Sequence, residues 1–181
     1  MLASARQAGE TLALKARDRD PRASLLSCES LGADAREVSI QRDTYFQGPR
    51  GRLKLREQGE RAFLFAYERL TLLGHPERRW LFEVRQPEVV MAAYSKSLGV
   101  EAIVVKRRRT FLWRGIHIHL DAVEDLGSFI KLHPAGPDES GLADEGRVRA
   151  LRRTLRIEDA DLLTESYCDL LLAAAGRPGI V

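Results

Sequence analysis

Lysine is scarce in this chain. Of 29 basic residues only five are lysine: Lys15, Lys54, Lys96, Lys106 and Lys131. Coding bias towards arginine explains the rarity, so a retained lysine marks a place where a compact ammonium is wanted rather than a planar fork. Cysteine is scarce too. Cys28 and Cys168 are the two present, and their spacing matches neither a metal site nor a disulfide framework, so they read as buried thiols. No apolar run approaches the roughly 20 residues of a membrane helix. The first residues, Met1-Leu-Ala-Ser-Ala-Arg6, lack the basic and apolar regions of a secretory signal, and a cytoplasmic location is the expectation. Net charge is only +3, which argues against a polycation that coats nucleic acid. There is no internal repeat and no low-complexity tract.

What is present is an ordinary soluble composition, 44% hydrophobic and 30% charged over 181 residues, enough for one domain. Its most informative stretch is Arg52-Leu-Lys-Leu-Arg56. A strand has a side-chain period of two, so the three cations share one face and the two leucines the other. The leucines can enter a core. Three like charges in line repel one another and call for water or an anion. The same parity argument pairs Lys15 with Arg17, Lys106 with Arg108, Lys131 with His133, and lines up His117, His119 and Asp121. Arg69 adds a cation, and Tyr67 shares its parity.

The chain reads as strand 11–17, a helix from Asp20-Pro21 to Gly32, strand 38–46, the basic strand, and strands 62–70 and 80–85. A helix follows from Pro87 to Gly99, then strands 102–109 and 111–123 turning near Thr110, and strand 129–133. Helices over 144–156 and 161–175 close it. Many strands with few helices imply an α+β fold with an antiparallel sheet of eight strands closed into a barrel, flanked by helices. If the cationic faces all point inward, the barrel holds about nine permanent cations, and uncompensated charge of that kind must be wet or filled by a polyanion. A chain of phosphates fits, with lysine as point charge and arginine as fork. Aromatics do not interleave with the cations as a base-stacking surface would require, so nucleic acid is a poor ligand. Arg147-Val-Arg-Ala-Leu-Arg-Arg153 reads as a solvated helix face. His117-Ile-His119 with His133 and Asp121 has the look of a transition-metal set, which the surrounding cations oppose.

The ordered set Lys15-Ala-Arg17, Asp43-Thr-Tyr-Phe46, Gly51-Arg-Leu-Lys-Leu-Arg56, Tyr67-Glu-Arg69, Val105-Lys-Arg-Arg108, Ile118-His-Leu-Asp121, Leu126-Gly-Ser-Phe129 and Ser166-Tyr-Cys-Asp-Leu170 resembles the CYTH superfamily of triphosphate tunnel enzymes, in particular its class IV adenylate cyclase branch. The resemblance implies one domain over residues 1–181, with the tunnel at about 10–133 and a helical segment at about 138–176. It also implies a substrate grip of Lys15, Arg17, Arg52, Lys54, Arg56, Tyr67, Arg69, Lys106 and Arg108. Asp121 matches the acidic, metal-related part of such a site. The family's opening strand carries Glu-x-Glu-x-Lys where this chain has Thr11 and Ala13 before Lys15. Its late strand carries Glu-x-Glu where this chain has Lys131 and His133. Magnesium wants oxygen ligands and carboxylates, so the expectation is no cofactor, or weakly bound magnesium or manganese.

The expected function is therefore that of a divergent small-molecule enzyme, a cyclase, lyase or phosphoryl-transfer catalyst, with His133, Lys131 and His119 in the catalytic roles. Its substrate would be a nucleotide, an organic polyphosphate or another phosphorylated or carboxylated metabolite. A conventional adenylate cyclase or organic triphosphatase is the alternative, and a nucleotide-binding sensor without turnover the third. A homodimer follows from the cyclase resemblance; a membrane or nucleic-acid partner does not.

Overall fold

The computed structural model describes residues 14–48, 51–68, 78–135 and 141–176. Eight strands are present among them: β1 (Leu14–Arg17), β2 (Asp34–Phe46), β3 (Arg52–Gln58), β4 (Arg61–Glu68), β5 (Arg78–Val84), β6 (Val100–Trp113), β7 (Ile116–Val123) and β8 (Gly127–Pro134). The helices are α1 (Pro21–Ser30), α2 (Pro87–Ser97), α3 (Gly141–Thr154) and α4 (Tyr167–Ala174), with one 3-10 turn at Asp159–Asp161. The strands form one sheet in the order β1-β8-β7-β6-β2-β3-β4-β5.

The α+β class and the eight strands agree with the sequence reading, but the closed barrel does not. The sheet order has two ends, β1 and β5. Closure requires the end strands to pair, with tilt and stagger matched around the ring. Here all four residues of β1 face β8, from Leu14 opposite Leu132 to Arg17 opposite Phe129. The outer edge of β1 is taken by a loop: Ala16 forms an antiparallel bridge with Leu162, and the Leu163 N–H donates to the Lys15 carbonyl at 2.9 Å. That covering protects an otherwise open edge. It also explains why no continuous helix runs over 161–175. Leu162 and Leu163 leave the helical path to serve β1, and α4 starts only at Ser166. There the Asp169 N–H donates to Ser166 Oγ at 3.2 Å and the Ser166 N–H to Asp169 Oδ2 at 2.9 Å, a capping box.

The expected turn at Thr110 is likewise absent. β6 runs through it to Trp113, as suits a β-branched residue. The chain reverses at Arg114 (φ 46°) and Gly115 (φ 79°), the paired positive φ of a two-residue hairpin turn.

Two compact units are built from these elements, one on Ile40–Lys106 with residues from Glu165, the other on residues up to Ser39 with Arg107–Thr164. In the first unit Phe46, Leu55 and Ala62 are buried against Leu53, Leu64, Val84 and the α2 residues Val90, Met91 and Tyr94. In the second, Ala16, Ile116, Ile118, Ile130 and Leu132 are buried with Cys28 of α1 and Val148 and Leu151 of α3. Each such aliphatic side chain contributes about 2 kcal/mol when withdrawn from water. Strand alternation then puts the polar residues of each unit on the opposite face of its strands. Burial pushes the thiols of Cys28 and Cys168 up to about 12, so both remain protonated core residues.

Candidate functional site

In the first unit, the register of the β2–β3 hairpin sets Asp43 opposite Arg56 and Tyr45 opposite Lys54. Asp43 is 1% exposed. Arg56 grips it as a fork, Nε to Oδ1 at 2.6 Å and the second nitrogen to Oδ2 at 2.7 Å. Lys54 Nζ reaches Oδ2 at 3.0 Å, and Lys106 Nζ, from β6, reaches it at 2.9 Å. Three cations thus converge on one carboxylate. Burial opposes the charge of Asp43, but Lys54, Arg56 and Lys106 outweigh it and hold the carboxyl well below its usual range. The Lys54 ammonium is pushed well below its ordinary value by burial, with Arg56 and Lys106 adding to the shift and Asp43 resisting it.

Aromatic faces complete this cluster. Lys54 Nζ lies 5.3 Å from the Tyr45 ring centroid and 5.0 Å from that of Phe65, with Arg56 stacked 5.1 Å over the same Phe65. Lys106 Nζ lies 5.9 Å from the ring of Tyr167 on α4. Such contacts favour a desolvated cation. Arg52, the third cation of the basic strand, is differently engaged. Its guanidinium donates to Ser166 Oγ at 2.8 Å and pairs with Asp169, so it ties β3 to the cap of α4. Tyr67 stands opposite Arg52 across β3 and β4.

In the second unit, the register places Lys15 opposite Lys131, and Lys131 opposite His119. Arg108 grips Asp121 as a fork, with bonds of 2.7 and 2.6 Å to its two oxygens. Arg17 is exposed and stacks 5.7 Å over Phe129. Next to the lysines lies a histidine chain. His133 Nδ1 donates to the Pro134 carbonyl at 2.8 Å, so the neutral ring must accept at Nε2. His119 Nε2 therefore donates to it, also at 2.8 Å, and the Thr110 hydroxyl donates to His119 Nδ1 at 3.0 Å. Burial, reinforced by Arg108 and Lys131, drives His119 far below the usual imidazole range and takes His133 to about 4. Both are neutral at physiological pH. His117 faces His133 with ring centroids 5.0 Å apart, and its buried Nδ1 has no hydrogen-bond partner among the described residues.

Of the expected site residues, Lys54, Arg56 and Lys106 gather on Asp43, and Arg108 and Asp121 pair near His119, His133 and Lys131. Arg52 is engaged with the α4 cap, Arg17 is exposed, and Arg69 lies outside the described residues. Sequence reading named Asp121 but missed Asp43 as a partner of the cations. Asp43 was available to it, since Asp43 shares the alternating parity of Tyr45 and faces the basic strand once the 48–51 turn sets the hairpin register. Glu83 is exposed and paired with Arg61 at 3.1 Å. Asp169 and Thr110 gave no sequence signal, because their partners are remote in the chain or were assigned to a turn.

Magnesium does not fit the carboxylates found here. Both oxygens of Asp43 and of Asp121 are already taken by cations, and among the described residues no group of three His, Cys, Asp or Glu is arranged to hold a metal.

The CYTH domain family model matches residues 12–167 of the chain. The fold is similar to that of the PH1012 protein from Pyrococcus horikoshii, at 21% identity and TM-score 0.78, over 88% of this chain and 98% of that one. It is similar to a candidate adenylate cyclase from Vibrio parahaemolyticus, at 20% identity and TM-score 0.75, covering 91% and 99%. A candidate adenylyl cyclase from Hippeastrum with a dominant triphosphatase activity is similar at 14% identity and TM-score 0.68, covering 93% and 97%. No sequence among the curated proteins matches this chain.

Proposed function

The chain belongs to the CYTH domain family, and from that membership we propose that it is an enzyme acting on an anionic, phosphorylated small molecule gripped by Lys54, Arg56 and Lys106. One observation carries this reading: three buried or half-buried cations share the single carboxylate of Asp43. Cations gathered on one carboxylate in this way are what a bound phosphate group would meet and neutralise. Asp43 organises the grip rather than cancelling it, because it fixes three donors at one point before substrate arrives. An arriving phosphate would favour the charged form of Lys54, which burial opposes.

Phosphoryl chemistry is largely positioning and electrostatic stabilisation, so fixed cations can take over part of the work of a metal. That substitution is the reading offered here for Lys131 and His133, which stand where the family's late strand carries glutamates. Weak or absent dependence on magnesium follows. Lys131 supplies charge. His133, neutral and with Nε2 as its accepting atom, serves as proton acceptor once His119 turns its N–H away. The substrate class comprises nucleotides, organic polyphosphates and related phosphorylated metabolites. A second reading, hydrolysis of an organic triphosphate in the conventional manner, is supported by the similarity to the Hippeastrum protein.

Incubation with ATP, thiamine triphosphate and tripolyphosphate, each with magnesium, manganese or EDTA, tests both. Turnover that survives EDTA is expected. Strict dependence on a divalent ion would overturn the first reading in favour of the second, and tight binding without any turnover would replace both with a nucleotide-binding sensor.

A further inference from the structure

The C-terminal half of α3 and the residues just after it carry an arginine cluster that neither the core nor the candidate site uses. Arg149, Arg152 and Arg153 follow the i, i+3, i+4 spacing that puts side chains on one helical face, and Arg156 follows just past the helix end. With Ile157 and Glu158 they line a concavity of about 390 Å³. Of the neighbouring acids, Glu158 and Asp161 pair with Arg19 at 3.1 and 2.6 Å, and Asp159 pairs with Arg152 of the stripe itself at 2.5 Å. Arg149, Arg153 and Arg156 are exposed and make no ion pair among the described residues. Like charges four apart on a helix repel, so this arrangement works against the helix that bears it.

A second, independent observation concerns Arg156. The Ile157 N–H donates to the Arg152 carbonyl at 2.8 Å and the Arg156 N–H to that of Arg153 at 3.2 Å, a Schellman ending in which the left-handed residue is ordinarily glycine. Helix α1 ends that way on Gly32, at φ 63°. At the end of α3 the same position, at φ 53°, holds arginine. Left-handed backbone is unfavourable for a residue with a Cβ, and such an outlier points to use of the side chain.

We propose that this stripe is a second anion site and that its occupant is a free, compact oligophosphate. Guanidinium forks match phosphate oxygens two at a time. The helical part of the stripe, Arg149 to Arg153, extends about 6 Å at 1.5 Å per helical residue and Arg156 lies beyond it, so more than one linked charge is needed to engage Arg149, Arg153 and Arg156. The concavity suits a short chain of phosphates and is too small to seat a duplex. The carbonyl end of the helix repels anions, which leaves the guanidinium groups to supply the attraction. None of the residues of the Asp43 cluster takes part.

Calorimetric titration of the full chain with inorganic tripolyphosphate at low salt separates the two sites. Arg149→Ala with Arg153→Ala is expected to weaken one site by at least about tenfold and leave the Lys54-dependent site unchanged. Arg156→Gly is expected to weaken the same site while raising Tm by about 2 °C, a pairing that a purely structural arginine would not give. Unaltered binding in both variants would overturn the proposal. So would a single-stranded oligonucleotide that binds more tightly than tripolyphosphate through the same arginines, because the occupant would then be nucleic acid. Loss of the Lys54-dependent site alone would count against the proposed function and leave the α3 site standing.

Discussion

Asp43 and Asp121 are both buried carboxylates gripped by an arginine fork, yet the two neighbourhoods differ in make-up. Beside Asp121 and Arg108 lie the neutral imidazoles of His119 and His133. Asp43 serves Arg56, Lys54 and Lys106 together. A shared acid gathers several cations at one place, which is what an anion site requires. The strand patterns look alike in sequence, so the difference lies in which side chains the fold brings to each acid.

The largest expected effect comes from removing the acids. Asp43→Asn is expected to destabilise the protein by about 3–5 kcal/mol, the range for breaking a buried ion pair, with part of the strain relieved by deprotonation of Lys54. Inorganic phosphate should restore much of the loss. Asp121→Asn should destabilise too, by about 3 kcal/mol, but without phosphate rescue. Urea unfolding with and without phosphate reads both, and equal rescue of the two variants would erase the distinction.

The next effect separates the clusters by pH. His119 and His133 have folded values below their ordinary one. They therefore contribute stability that is present above about 6.5 and lost as pH falls. For His133 the loss proceeds from about 6.5 down to about 4, up to about 3 kcal/mol at 1.36 kcal/mol per unit. Asp43 is lowered as well, so its contribution is lost only at more acidic pH, below the ordinary carboxylate value of about 3.9. His133→Gln should flatten the stability profile between pH 6.5 and 4 and leave the steeper acid limb. A profile unchanged by that variant would mean that the imidazole titrates normally.

Smaller again is the loss of ligand affinity in Lys54→Ala, about 2 kcal/mol or more for phosphate binding by titration. Smallest is Arg61→Ala. Arg61 and Glu83 are 66% and 55% exposed, and their separation should cost less than about 0.5 kcal/mol. A larger value would show that solvent screening does not govern the contrast drawn above.

Much of the candidate site was legible because strand periodicity is a local property. Leu53 and Leu55 face the core and Arg52, Lys54 and Arg56 the other way, as alternation requires. Gly32 ends α1, and Asp20 caps it with Oδ1 accepting from the Ala23 N–H at 3.0 Å. Other features were hidden for reasons of range. The turn was placed at Thr110 because a run of arginines obscured the Arg114-Gly115 reversal. Leu162 and Leu163 fit an apolar helix face by spacing, and only the open edge of β1 makes them extended. Arg52 looked equivalent to Lys54 until α4 brought Asp169 to it.

By itself the sequence determined the parity of each strand, the cationic composition of the polar faces and the eight-strand α+β class, since these depend on side-chain period and on turn residues close in the chain. Tertiary structure decided which acid each cation meets, that the sheet order ends in β1 and β5 instead of closing, and that His119 and His133 stay neutral. Those outcomes depend on burial and on partners far apart in the chain. No local pattern encodes either one.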